Sequence, residues 1–147
     1  MINNCVFCSI IGHEIPSATI YEDEKVVAIL DIAPSAKGHT VLIPKNHSQN
    51  IFELPEEEAA HIFVVAKKIA GVLKKELKCD GINILQNNGT AAGQTVFHFH
   101  VHIIPRFDND EVKLSWVPGE YKEGEMSKLA ETLTKQVKEL ASMALYK

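Results

Sequence analysis

The sequence predicts a single α+β domain over residues 1–147, an antiparallel sheet with helices packed on one face. Three observations predict it. Short β-forming segments separated by polar turns recur on both sides of a long amphipathic helix. A second amphipathic helix closes the chain. Between them, His98-Phe99-His100-Val101-His102 alternates imidazoles with apolar side chains, as a strand with one buried face does.

Composition narrows the class. With 147 residues and 46% hydrophobic content, the chain is long enough for one core of ordinary size. It has no apolar run of about eighteen residues, so no transmembrane helix is expected. No basic region followed by an apolar stretch follows Met1, so no secretory signal is expected and a cytoplasmic location is. A formal charge of −4 argues against nucleic acid or an anionic membrane as a partner, though not against a local pocket for a small anion. Cys5, Cys8 and Cys79 are too few and too odd in number for a disulfide framework, which fits a reducing compartment.

Taken in order, Cys5-Val6-Phe7-Cys8 precedes a short apolar segment, Ile10-Ile11, stopped by Gly12. Such a Cys-x-x-Cys is half of a zinc site or a redox pair; hairpin-like sequence after it, rather than a βαβ unit, favours zinc. Two cysteines leave a tetrahedral site needing two further ligands. Residues 18–21 and 26–30 read as a hairpin around Glu22-Asp23-Glu24. Asp31 ends the second strand, either as a turn residue or as a carboxylate for a sugar hydroxyl, and spacing does not choose. Residues 39–44 form a third strand ended by Pro44, with Lys45-Asn46-His47 as its exit; His39 and His47 are unremarkable taken alone.

Pro55 then opens the clearest helix, with Glu56, Glu57 and Glu58 suiting the dipole of its first turn. Ala59, Ile62, Phe63, Ala66, Ile69, Ala70, Leu73 and Leu77 recur at helical spacing as its core face, while His61 falls among polar positions. Cys79 reads as a small buried apolar residue. Residues 81–86 form a fourth strand. The loop from Asn87 to Thr95 follows, whose Gly89 and Gly93 permit positive φ and close approach of backbone to a ligand. Such a loop is an ordinary connection or, directly before the histidines, a source of donors to an anion. Met126, Leu129, Leu133, Val137, Leu140 and Ala144 mark the last helix.

On a strand, all three imidazoles of the cluster share one side, and Phe97, Phe99, Val101 and Ile103 share the other. A metal-binding tract is the bland alternative, since imidazole is the commonest metal ligand. The chemical alternative is nucleophilic. A neutral imidazole attacks phosphorus readily, its N-phosphoryl adduct hydrolyses, and neighbouring imidazoles can steady the phosphate or the leaving group. His100 is central in that arrangement.

These residues resemble the histidine triad, or HIT, family. The resemblance rests on residues 93–102, Gly93-Gln94-Thr95-Val96-Phe97-His98-Phe99-His100-Val101-His102, with Asp31 before Gly38-His39 and then Val41-Leu42-Ile43-Pro44-Lys45. It implies a five-stranded antiparallel sheet with a long central helix and a C-terminal helix, two sheets joining across a homodimer. It also implies attack at the α-phosphate of a purine nucleotide conjugate, with His100 as nucleophile and a covalent nucleotidyl-histidine. His102 would assist the leaving group, and His39 is the family's additional histidine. Asp31 would bind the ribose; Asn87, Gly93 and Thr95 would contact phosphate and leaving group beside His100 and His102.

Asp31 and Asn87 resemble the Hint-like phosphoramidases, which act on AMP-NH2 or AMP-lysine bonds. Ile103-Ile104-Pro105-Arg106 looks more like the Fhit-like dinucleoside polyphosphate hydrolases. Zinc-binding relatives imply Cys5, Cys8, His47 and His98 as a structural zinc site, against the alternative of free thiols. A non-catalytic nucleotide-binding module and a zinc-dependent hydrolase are the competing functions. Whether Mg2+ accompanies the substrate stays open.

Overall fold

A computed structural model describes residues 4–144, with side chains through residue 140. Within these, the chain divides into two compact units that meet in sequence at Val112 and Lys113. The first holds helix α1 (Val6–Ile11), strands β1 (Thr19–Glu22), β2 (Val26–Leu30) and β3 (Thr40–Pro44), helix α2 (Glu56–Leu77), and strands β4 (Gly81–Leu85) and β5 (Val101–Arg106). All neighbours in the five-stranded sheet are antiparallel, in the order β1-β2-β3-β5-β4. The expected α+β architecture, with its long central helix, is therefore present. No helix among the described residues is long and apolar enough to cross a membrane.

The two faces of the sheet carry different cores. Ile62, Val65, Ala66, Ile69 and Leu73 of α2 pack with Val26, Ala28, Leu42, Phe99, Val101 and Ile103. The alternate residues Val27, Ile29, Val41 and Ile43 form a second cluster, against which Phe7, Ile10 and Ile11 of α1 pack. Period-two alternation thus feeds both layers. Helices cover both faces, which corrects the expectation of helices on one face: α1 is too short for helical periodicity to show in the sequence. Phe63 is another correction, since it points away from the core that Ile62 and Val65 enter and is half exposed.

The histidine stretch is also not one strand. β5 begins at Val101, so only His102 of the three imidazoles lies on it. Phe99 donates its N–H to the carbonyl of Ser48 at 2.7 Å, which ties the segment before β5 to the loop after β3. Phe99, Val101 and Ile103 are fully buried as expected, whereas Phe97 is exposed.

Asp23 sets the first hairpin. Its Oδ1 accepts the N–H groups of Lys25 and Val26 at 2.8 Å, and its Oδ2 accepts Tyr21 Oη–H and His61 Nε2–H at 2.8 Å. Burial pushes this carboxyl up, but the Lys25, Tyr21, Val26 and His61 donors outweigh it and hold it well below the usual carboxylate range. Replacing it removes partners from two backbone donors at once. Asp23→Ala is expected to lower unfolding free energy by about 2 kcal/mol. Because the folded carboxyl is the stronger acid, its contribution is present above the unfolded value of about 3.9 and fades as pH falls below it. Chemical denaturation at pH 7 and pH 3 checks this: the gap between wild type and variant should narrow at pH 3.

The second unit holds helix α3 (Glu125–Ala144). Its predicted apolar stripe is real in spacing, yet Met126, Leu129, Leu133, Val137 and Leu140 are all exposed. The side chain of Ala144, the last member of that stripe, lies outside the described residues.

Candidate active site and metal centre

The turn from β2 into β3 places two of the expected residues. Asp31 donates its backbone N–H to the carbonyl of His39 at 2.9 Å, and its Oδ1 accepts the N–H of Ala33 at 2.8 Å. Gly38 takes φ +87 just before His39, where a Cβ would also run into Leu77. The loop closed in this way aims the Ser35 N–H at His39 Nδ1, 3.0 Å away.

That one backbone donor orders the protons across the site. With its Nδ1 lone pair engaged by Ser35, neutral His39 must carry its proton on Nε2. Nε2–H then donates to His102 Nδ1 at 2.9 Å. His102 is left with its own proton on Nε2. His100 is ordered the opposite way: its Nδ1–H donates to the carbonyl of His98 at 2.7 Å, so its Nε2 is a lone pair. The His100 and His102 rings stand edge to face with centroids 4.8 Å apart. One offers an electron pair and its neighbour an N–H.

Burial disfavours the charged form of these rings. It holds His100 and His39 below the ordinary imidazole value, with the Asp31 carboxylate pulling both the other way. His102 is pushed down to about 4 by burial first, then by His100 and His39, again against Asp31. Asp31 Oδ2 lies 3.6 Å from His39 Nε2.

The second constellation lies at the other end of the row. Cys5, Cys8, His47 and His98 bring one ligand atom each within 4.8 Å of one another. Cys5 Sγ is 3.4 Å and Cys8 Sγ 3.6 Å from His98 Nδ1; Cys8 Sγ is 3.4 Å and His98 Nδ1 3.1 Å from His47 Nδ1. A tetrahedral zinc with these ligand types needs edges of about 3.3 Å between nitrogens to about 3.8 Å between sulfurs; the sulfur–nitrogen separations match and the nitrogen–nitrogen one is about 0.2 Å short, so the donor set fits. His98 is prepared for the role. Its Nε2–H donates to the carbonyl of Pro44 at 2.8 Å, which frees Nδ1 as a lone pair. Burial pushes its pKa down to about 4, so no proton competes for that lone pair at neutral pH.

Asp31, His39 and His102 also cluster within 4.8 Å. They fit a metal poorly, because the proton order set by Ser35 leaves His39 Nε2 without a lone pair.

The structure thus joins Asp31, His39, His100 and His102 in one site and Cys5, Cys8, His47 and His98 in another. Asn87, Gly93 and Thr95 lie in the loop before the histidines, and no hydrogen bond among the described residues links them to His100 or His102. Gly89 and Gly93 take φ +84 and +89, as their loop position suggested. Thr95 is exposed and lines a cleft of about 520 Å³ together with Cys5, His47, Gln49 and Phe97.

Three contributors were not legible in the sequence. The Ser35 N–H is one, since a backbone donor leaves no residue signature. Gln94 is buried and latches the loop, accepting from Gly89 N–H at 2.8 Å and donating to the carbonyls of Gln49 at 2.7 Å and Val96 at 3.1 Å. Phe7, between the two cysteines, packs edge-on to both His98 and His100.

Residues 12–109 match the HIT domain family. The SMU.412c protein of Streptococcus mutans superposes with a TM-score of 0.88 at 46% identity, covering 93% of this chain and 87% of that one. A Zn-bound histidine triad family protein from Mycobacterium smegmatis gives a TM-score of 0.72 at 42% identity, covering 79% of this chain and 84% of its own. The adenylylsulfatase HINT3 of Arabidopsis thaliana is 43% identical over 108 residues, 74% of this chain and 55% of the plant protein.

Proposed function

The chain belongs to the HIT family, and from that premise we propose that it is a nucleotide phosphoramidase acting through His100. The opposite proton order of two adjacent imidazoles carries this reading: a lone pair on His100 Nε2 beside an N–H on His102 Nε2. His100 attacks the α-phosphorus of an adenylyl phosphoramidate. The N–P bond to His100 forms as the P–N bond to the leaving amine breaks. His102 Nε2–H donates a hydrogen bond to the phosphoryl group or leaving atom, and the amine departs with a proton taken from solvent, which the attacking water later returns. Water then attacks phosphorus, releases AMP and gives up a proton, so the site ends as it began. Asp31 binds the ribose hydroxyls in this scheme, while Asn87, Gly93 and Thr95 contact phosphate and leaving group.

His39 acts one step back, holding the His102 tautomer. The adenylylsulfatase activity named for HINT3 is cleavage at the same kind of α-phosphate centre, which supports the class. The zinc named for the mycobacterial relative supports a structural zinc on Cys5, Cys8, His47 and His98. When bound, it would tie the amino-terminal helix to the histidine segment and supply no chemistry to the substrate. The site lies wholly within the first unit, and a homodimer with joined sheets is part of the same reading.

The rival reading, a dinucleoside polyphosphate hydrolase, rests on Ile103-Ile104-Pro105-Arg106. Arg106 is spent inside the fold. It makes hydrogen bonds to both carboxylate oxygens of Asp110 at 2.8 Å, to Asn83 Oδ1 at 2.7 Å and to the carbonyl of Val112 at 2.9 Å. Its presence after the triad therefore favours neither substrate. Turnover of adenosine 5′-phosphoramidate and a diadenosine polyphosphate on one preparation separates the two. The proposal expects the phosphoramidate to have the higher kcat/KM by at least about tenfold, about 1.4 kcal/mol in the transition state. A preference for the dinucleotide overturns it.

A further inference from the structure

Phe7 is the residue that joins the two constellations, and neither the nucleophile nor the metal ligands account for its placement. It stands between Cys5 and Cys8 on α1. Cys5 caps that helix, accepting the Cys8 N–H on Sγ at 3.4 Å. The Phe7 ring lies 5.9 Å from the His98 ring at 82° and 5.0 Å from the His100 ring at 72°. His100 is buried, but few directional contacts among the described residues set the tilt of its ring. Its one hydrogen bond is through Nδ1 to the His98 carbonyl, and the remaining ring contact is His102. A single hydrogen bond at Nδ1 still lets an imidazole rock about that bond. Rings packed edge-on at its sides restrict the rocking.

We propose that Phe7 is a positioning residue that couples the Cys5–Cys8–His47–His98 centre to the His100 ring. The coupling follows from connectivity. A metal held by Cys5 and Cys8 fixes both ends of the Cys5–Cys8 turn, and with them the one aromatic side chain between. The same metal fixes His98, the other ring that Phe7 touches. The helix has only six residues, so its intrinsic stability is small, and its apolar side chains and its cysteines anchor it to the sheet. Loss of the metal leaves Phe7 held by its packing on the sheet alone, with more room to shift against both imidazoles. The reactive Nε2 of His100 is then less well aimed, although none of the metal ligands reaches substrate.

A competing route exists, because His98 also reaches His100 through its carbonyl. The experiment is built to separate the two routes. Imidazole proton and 15N signals of His100 are recorded for wild type and Phe7→Leu, each with zinc bound and after chelation. The proposal expects Phe7→Leu to keep one zinc per chain and to shift the His100 signals. It expects chelation to shift them in wild type, with a much smaller further shift in Phe7→Leu. Equal chelation shifts in both proteins overturn it, since coupling would then run through the His98 backbone. Unchanged His100 signals in zinc-loaded Phe7→Leu overturn it as well. Phe7→Tyr, which keeps the ring, should restore wild-type signals and serves as the reference if chelated protein unfolds.

The kinetic arm rests on His100 being the nucleophile. There, zinc-loaded Phe7→Leu should lose about 2- to 10-fold in kcat, the scale of one aromatic edge contact. Wild type without phosphoramidate turnover would refute the proposed function, while the signals of His100 would still decide the role of Phe7.

Discussion

His100→Ala is expected to lower kcat/KM for adenosine 5′-phosphoramidate by about 10⁴-fold or more, the scale on which a lost covalent nucleophile is felt. The effect should fall almost wholly on kcat. Among the described residues, His100 Nε2 is the only nitrogen of the His39, His98, His100 and His102 imidazoles left unprotonated, outside the metal ligand set and accepting no hydrogen bond. His98 Nδ1 faces the two cysteines and His47, His39 Nδ1 accepts from Ser35, and His102 Nδ1 accepts from His39. No neighbour can take over the attack without breaking its own arrangement. His102→Ala, by contrast, removes a hydrogen-bond donor and should lose less. Steady-state kinetics on the two variants check the order. Full activity in His100→Ala would refute the mechanism.

The second large effect is thermal. Removing the metal is expected to lower Tm by about 8–16 °C. A ligand at about a thousand times its Kd contributes about 4 kcal/mol, and each kcal/mol moves a chain of this size by about 2–4 °C. The four donors lie within 4.8 Å of one another, so a bound metal would cross-link the amino-terminal helix to the histidine segment. His98→Ala should reproduce the loss and bind well under one zinc per chain, because its Nδ1 is central to three of the donor contacts. Acid should do the same. Burial pushes the Cys5 thiol up, so a metal must displace a proton held more firmly than usual, and affinity falls as pH falls. Calorimetry with and without chelator, with metal analysis of His98→Ala, tests this. A full zinc complement in His98→Ala would remove His98 from the site.

The succession of strands along the chain and the long helix were legible because their apolar residues fall in runs or periods that mark such elements. The apolar run Val26–Leu30, the alternation of apolar residues with imidazoles over residues 99–103, and the spacing of Ile62, Ala66, Ile69 and Leu73 all reappear in the folded chain. The failures have separate physical causes. α1 is under two turns long, so no window contains its periodicity, and what holds it is the packing of Phe7, Ile10 and Ile11 on the sheet. Phe97 continues the alternation in sequence but precedes the strand, where the segment follows Gln94 and Ser48 rather than a neighbouring strand. Helix α3 shows the converse, a correct helix whose apolar side chains remain exposed in the single chain.

At the site, residue types were legible and proton positions were not. The histidine spacing marked His98, His100 and His102 as a group. Nothing in that spacing distinguishes them, because the distinction comes from three backbone groups: the Ser35 N–H and the carbonyls of Pro44 and His98. The fold assigns each imidazole its role by choosing which of its nitrogens is occupied. His98 is turned toward the cysteines, His100 keeps an open lone pair on Nε2, and His102 is locked as a donor by His39.

The most direct test is to trap the bond that His100 is proposed to form. Wild-type protein mixed with adenosine 5′-phosphoramidate is quenched without acid within one turnover, digested and sequenced by mass spectrometry. One adenylyl group on the peptide spanning His98, His100 and His102, localised to His100 and absent from His100→Ala, is the predicted result. An adenylyl group on any other residue, or single-turnover release of AMP with no adduct at any time point, would contradict it.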